Sequence, residues 1–172
     1  SAISVGGEAL KTDSESYGIP ANRIFVTGVP QYDRLQTLDA AKEREALCKS
    51  YALDQKKDIV LLADTYISVH LDPRGDWLDI ERAYRDLFSA LAKFPDKQLL
   101  VKKYRVDTTR RGWMEQIAKE YGFEKIQYAS ERTALPYLMA GADIVVTFHS
   151  GAVTEAFALK KKVIVLDYLK RI

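Results

Sequence analysis

Little in this sequence commits it to a stapled, membrane-spanning or strongly charged design. A single cysteine, Cys48, stands in a helical stretch of a 172-residue chain, which excludes a disulfide framework and fits a reducing compartment, the cytoplasm by default. Its 26 Lys and Arg face 24 Asp and Glu, a net charge of +2, so no global field argues for nucleic acid or an anionic membrane. The basic residues do not alternate with aromatics on one recognisable face, so no nucleic-acid partner is expected. Apolar runs reach only a few residues where a membrane span needs about 20, and no basic-then-apolar segment opens the chain. Also missing are a Gly-x-Ser-x-Gly elbow, a Walker loop, a Gly-x-Gly-x-x-Gly fingerprint, a cysteine pair for zinc and any internal repeat. Neither a metal nor a cofactor is expected.

What is present is an alternation. From Asn22 onward short β-branched runs alternate with longer amphipathic segments, the signature of a parallel sheet with covering helices. The runs predict strands at Ile24 to Thr27, Asp58 to Ala63, Gln98 to Lys103, Lys125 to Tyr128, Ile144 to Phe148 and Val163 to Leu166. Most lack period-two alternation, as strands buried on both faces do. Between them, Trp77, Ile80, Tyr84, Leu87, Phe88 and Leu91 recur at three- and four-residue steps and predict one long amphipathic helix. Trp113 or Met114, Ile117 and Tyr121 predict a second, stopped by Gly122. Leu135, Leu138 and Met139 predict a short third, with Pro136 in its first turn and its end near Gly141. The expected fold is a Rossmann-like α/β domain: about six parallel strands, helices on both faces. Residues 1–21 do not extend the pattern cleanly; a strand at Ala2 to Val5 and a helix at Glu8 to Tyr17 read as the tail of a preceding domain. Residues 22–172 read as the main domain, ending after an apolar strand with no closing helix, as an excised or incomplete segment would.

Such a series places its ligand outside the carboxyl ends of the strands, near the point where strand order reverses. The candidate loops therefore begin at Asp64, Tyr104, Ala129, His149 and Asp167. The turn His149-Ser150-Gly151 opens a helix at Ala152, where unpaired N–H groups and the helix dipole favour phosphate and a glycine permits close approach. Ser150 and Thr154 add hydroxyls, and Glu155 suits acceptance of hydrogen bonds from neutral hydroxyls, as an acidic group does for a ribose. Serine as a helix cap and glutamate offsetting the dipole explain the same residues without a ligand. The long loop 64–76 offers His70 and Arg74 for a phosphate or a reacting group, or is a solvated loop with Asp76 as a helix cap. His70 and Asp72 make no metal motif. After the third strand, Lys102, Lys103, Arg105, Arg110 and Arg111 either neutralise a diphosphate or form a solvated charge run. Lys160 to Lys162 are read as cations at a helix C-terminus, balancing its dipole.

Three segments in this order, "NRIFVTGVPQYDRL", "IVLLADTY" with a long helix, and "LMAGADIVVTFHSGAVTEAFALKKKVIVLD", resemble the carboxyl-terminal half of GT-B glycosyltransferases and their relatives. Those relatives are the UDP-N-acetylglucosamine 2-epimerases and the CDP-glycerol glycerophosphotransferases. The resemblance implies that Thr27, Gly28, Pro30 and Asp33 lie near the passage between two domains, the first of them an acceptor-binding domain that this chain lacks. It also implies that Ser150 and Gly151, with Ala152 and Val153, cradle a diphosphate and that Glu155 holds ribose hydroxyls. Lys103, Arg105 and Thr154 join the expected nucleotide-binding set, and His70, Arg74 and His149 are the candidates for catalytic groups.

The loop departs from the epimerase pattern, an Asp-Ser-Gly-Gly with paired glutamates: His149 replaces the Asp, Ala152 the second Gly, and one Glu remains. The epimerase His-Arg pair at the end of the first carboxyl-terminal strand is missing, and Lys103-Tyr104-Arg105 stands where glycerophosphotransferases carry His-Pro. The implied function is donor binding in a GT-B-type transferase. It would move a sugar or glycerol-phosphate-like group from a nucleotide donor to a glycan or lipid-linked polymer in surface polysaccharide or wall assembly. The fragment alone is expected to be inactive; the full-length protein would work in the cytoplasm, peripherally at the inner face of the membrane. The alternatives are a nucleotide-sugar 2-epimerase and a non-catalytic ligand- or partner-binding domain.

Overall fold

A computed structural model describes residues 2–64, 77–103, 109–123, 126–148 and 150–167. The chain divides into two compact units, residues 1–37 and 38–172. In the smaller, β1 (Ile3–Val5), α1 (Glu8–Ser16) and β2 (Ile24–Val26) form a βαβ unit with β1 and β2 parallel, Ile3 opposite Ile24 and Val5 opposite Val26. The Ser4 and Thr27 hydroxyls meet across the pair, and the Thr27 N–H continues the ladder to the Val5 carbonyl at 3.0 Å. The strand expected at Ile24 to Thr27 is therefore present but belongs to this two-stranded sheet rather than to the main one. A four-residue run cannot reveal its pairing partner: β1, with only three residues, is its neighbour. The short α2 (Pro30–Asp33) completes the helices of this unit.

The larger unit runs α3 (Ala40–Tyr51), β3 (Asp58–Ala63), α4 (Trp77–Leu91), β4 (Lys97–Lys102), α5 (Thr109–Glu120), β5 (Gln127–Tyr128), α6 (Leu135–Gly141), β6 (Ile144–Thr147), α7 (Ala152–Ala158) and β7 (Lys162–Val165). Its strands form one parallel five-stranded sheet in the order β5-β4-β3-β6-β7. Alternate side chains of the central strands leave on opposite faces, as the pleat requires. Val60, Leu62, Val101 and Val146 pack with Tyr84 and Phe88 of α4 and Met114 and Ile117 of α5. Ile59, Leu61, Leu100 and Val145 pack with Leu47 of α3, Leu138 and Met139 of α6 and Ala156 of α7. Both faces are covered, which is why the central runs lack alternation in sequence. The helix periodicities of α4, α5 and α6 hold, and Gly122 follows α5 at φ 82°, a left-handed stop.

The amino-terminal edge of the sheet is tied by charge. One Asp143 carboxylate oxygen accepts from Arg44 Nη1 at 2.5 Å and from the Ile59 N–H at 2.7 Å. Arg44 also donates to the Lys57 carbonyl at 2.7 Å. Lys161, expected to serve the dipole of the helix before it, instead donates to the Ala140 and Ala142 carbonyls at the end of α6, at 2.6 and 3.0 Å. Burial pushes its ammonium pKa down. Beneath this clamp α3 and α6 pack backbone to backbone. A Cβ on Gly141 would lie 2.6 Å from Leu47 Cδ1 and 2.9 Å from the Arg44 nitrogen. Gly141→Ala is accordingly expected to destabilise by about 1–3 kcal/mol, because a backbone atom cannot swing aside as a side-chain tip can. Urea denaturation should show a lower midpoint at unchanged slope.

Candidate functional site

Strands β3, β4 and β5 step one way across the sheet and β6, β7 the other, so the order reverses between β3 and β6. The segment after β3 leads to α4 on one face and that after β6 to α7 on the other, the arrangement that in doubly wound sheets leaves a crevice where they part. A fully buried side chain marks the spot. Thr147, the last residue of β6, donates its hydroxyl to the Ala63 carbonyl at 3.1 Å, and its Oγ1 lies 3.3 Å from Ser150 Oγ. The Ser150 turn is thereby fixed to the end of β3.

Within the turn, Ser150 acts as the local cap. Its Oγ accepts the Ala152 N–H at 3.3 Å and its carbonyl accepts the Val153 N–H at 3.1 Å; Thr154 donates its hydroxyl to the Gly151 carbonyl at 2.8 Å. The capping reading of the serine therefore holds: it engages N–H groups at the start of α7. Gly151 is different. It has φ −57° and ψ −18°, which any residue adopts, it is exposed, and among the described residues a Cβ added to it would meet nothing within 4 Å. Neither its backbone conformation nor its packing against the described residues requires a glycine there.

One turn on, Glu155 is half-buried, and burial pushes its carboxyl pKa up. Among the described residues no donor or cation pairs with it. A half-buried acid without such a partner is poorly explained by dipole compensation, which an exposed glutamate achieves without the desolvation cost.

Beside the crevice a cleft of about 390 Å³ lies over the carboxyl ends of β3 and β4, bordered by Ala63, Asp64, Lys102, Lys103, Glu131 and Thr133. Asp64 is held from below: the hydroxyl of Tyr84, a fully buried residue of α4, donates to its carboxylate at 3.0 Å. Tyr84 is in turn wedged edge-on between Trp113 and Phe148, at 5.8 and 6.2 Å between centroids. Lys103 sits over the Tyr128 ring at 5.5 Å. The Lys102 ammonium donates to the Ser130 and Glu131 carbonyls at 2.7 and 3.0 Å.

Of the residues singled out in the sequence, Ser150, Gly151, Ala152, Thr154 and Glu155 share one turn and helix start. Lys103 borders the adjacent cleft. His70, Arg74, Arg105 and His149 lie outside the described residues. Sequence reasoning named the loop beginning at Ala129 but no residue in it; Glu131, Thr133 and the more distant Tyr51 carry no spacing or motif that would have found them. Among the described residues no cluster of three or more His, Cys, Asp or Glu could hold a metal ion, and no helix is long and apolar enough to cross a membrane.

A sequence profile of the family described as UDP-N-acetylglucosamine 2-epimerase matches residues 13–172. The chain belongs to that family. Membership places the larger unit among the nucleotide-sugar-binding GT-B-like domains. No curated protein matches this epimerase-family chain. Among solved structures, it aligns with the UDP-GlcNAc 2-epimerase of Neisseria meningitidis bound to UDP-GlcNAc at TM-score 0.64 and 17% identity, over 95% of this chain and 43% of the other. A glycosyltransferase from Rickettsia africae gives TM-score 0.54 and 18% identity, over 95% and 44%. The wall teichoic acid polymerase TagF gives 0.57 and 14%, over 94% and 36%. These likenesses establish the fold, and the chain spans less than half the length of each.

The Glu155 carboxyl yields a test that needs no ligand. Because burial raises its pKa in the folded state only, the native protein binds its proton up to higher pH than the unfolded chain, and the stability that this proton linkage provides at low pH is lost as pH rises through the raised value. Glu155→Gln, a neutral isostere, is expected to unfold at higher urea than the parent at about pH 8 and at the same urea at about pH 4. Equal midpoints at both would mean the carboxyl is as well solvated folded as unfolded.

Proposed function

We propose that this chain carries the donor-binding domain of a GT-B-type transferase that moves a sugar or a glycerol-phosphate-like group from a nucleotide carrier in surface polysaccharide or wall-polymer synthesis. The observation that carries the reading is the pairing of an unneeded glycine, Gly151, with a half-buried carboxyl, Glu155, at the reversal of strand order. A glycine whose Cβ direction is open keeps room for something that is not protein, and the first turn of a helix favours an anion. The diphosphate would lie against Ser150, Gly151, Ala152 and Thr154, with Lys103 of the adjacent cleft as a cation. Glu155 would accept hydrogen bonds from ribose hydroxyls, regaining the solvation that burial removes. Bond breaking would leave negative charge on the diphosphate, which fixed dipoles and cations stabilise without reorganisation. His70, Arg74, Arg105 and His149 are the further groups proposed to face that charge or the reacting atoms. The acceptor, a glycan or lipid-linked polymer, would be brought by a domain to which the smaller unit belongs, in a protein acting in the cytoplasm at the membrane face.

A second reading, an isomerase acting on a nucleotide sugar, is favoured by the family match itself. The two differ in a simple requirement: an epimerase turns over UDP-GlcNAc with no acceptor present, whereas a transferase needs one. Incubating the full-length protein with UDP-GlcNAc alone and following the sugar by NMR separates them.

The nucleotide site is tested by Gly151→Ala. Since the native backbone accepts alanine and the Cβ meets nothing, stability should change by less than about 1 kcal/mol. Affinity for UDP or CDP, measured by calorimetry, should fall tenfold or more, about 1.4 kcal/mol. Undiminished nucleotide affinity in this variant would remove the cradle.

A further inference from the structure

The wall of the cleft formed by residues 130–134 joins a minimal edge strand to α6. Strand β5 has only two residues, paired as Gln127 with Leu100 and Tyr128 with Val101, and ladder bonding ends where the Ala129 N–H reaches the Val101 carbonyl at 2.8 Å. Beyond that point the wall is held by two side chains from other elements. Tyr51, the last residue of α3, accepts the Ser130 N–H at 3.2 Å and lies 3.0 Å from Thr133 Oγ1. Lys102, the last residue of β4, donates to the carbonyls of Ser130 and Glu131. Ser130 further accepts the Arg132 N–H on its hydroxyl at 3.3 Å and the Thr133 N–H on its carbonyl at 3.1 Å. One serine thus gathers the wall, and Tyr51 and Lys102 gather the serine.

We infer that Tyr51 and Lys102 are positioning residues that hold the 130–134 wall in its ligand-receiving shape, and that Lys102 acts through that wall instead of neutralising phosphate. The inference rests on the nucleotide reading of the site. A short segment beyond the last ladder bond would otherwise have to be ordered when ligand binds, at a cost in affinity that a wall already fixed avoids. Two lysines adjacent in sequence are thereby given different tasks: Lys103 lies over an aromatic ring at the cleft, and Lys102 serves backbone carbonyls.

The test uses Tyr51→Phe, which keeps the ring and removes the hydroxyl, and Lys102→Met, which keeps the stem and removes the ammonium. In the full chain without ligand, NMR amide exchange at Ser130 should quicken about tenfold in Tyr51→Phe, with β3 and β6 amides unchanged. Calorimetry with UDP and CDP should show about five- to tenfold weaker binding in both variants. Gly141→Ala, which weakens the global fold at the far end of α6, should leave that affinity unaltered. A parent chain that binds nucleotide and a Tyr51→Phe variant that binds it equally would overturn this inference alone. A Lys102→Met loss of affinity that disappears at high salt, with Ser130 exchange unchanged, would assign Lys102 to charge and overturn it likewise. A parent chain that binds neither UDP nor CDP would overturn the reading of the site, and this inference with it.

Discussion

The reversal of strand order between β3 and β6 is the constraint from which the rest of the larger unit follows. Two parallel neighbours whose chains depart to opposite faces cannot both continue over the seam between them, so the carboxyl ends of β3 and β6 border a crevice by topology alone. The seam is closed from below by a single polar side chain. Thr147 is fully buried, its hydroxyl bonds the last carbonyl of β3, and the same oxygen reaches Ser150. A valine there would match the shape and lose both contacts, leaving the Ala63 carbonyl to find another donor and the turn untethered. The position of Ser150, and of Gly151 and Glu155 after it, is therefore inherited from β6 and not from the short helix they open.

The two edges of the sheet are built on different physics. At the amino edge a half-buried ion pair, a lysine capping the end of α6 and a backbone-to-backbone helix contact lock α3, β3, α6 and β6 together. At the carboxyl edge the described contacts include hydrogen bonds linking Tyr84 with Asp64, Lys102 and Tyr51 with the 130–134 segment, and Thr147 with Ala63.

How much of this could be read beforehand depended on whether a feature is local in sequence. The runs at Asp58 to Ala63 and Ile144 to Phe148 announce buried strands because all their residues but Asp58 and Thr147 are apolar, and Trp77 to Leu91 announces a helix because its period is 3.6. The Ser150-Gly151 turn was legible for the same reason, being one short stretch. The partner of Ile24 was not, since pairing with Ile3 is a matter of which strand lies alongside. Nor was the attachment of Tyr51 to Ser130, 79 positions away. Lys161 shows the limit most clearly: a lysine after a helix satisfies the dipole rule in sequence, yet in space its ammonium serves the end of a different helix.

Family membership and the departures of the loop are compatible once the turn is considered atom by atom. The epimerase-like pattern has two glycines after the serine, and here the second is Ala152. Its methyl is not at the mouth of the cradle: Ala152 packs against the apolar cluster formed by α3, α6 and the sheet. The glycine that has open space beside it, Gly151, is retained. On the proposed reading of the turn, the alanine would not obstruct the approach of a diphosphate. The lone glutamate is the departure that bears on chemistry. One half-buried carboxyl can accept hydrogen bonds from a ribose, but a second acid for proton transfer must then come from elsewhere in the site. On the proposed reading, the turn would hold a nucleotide donor while the reaction would depend on residues that this loop does not supply.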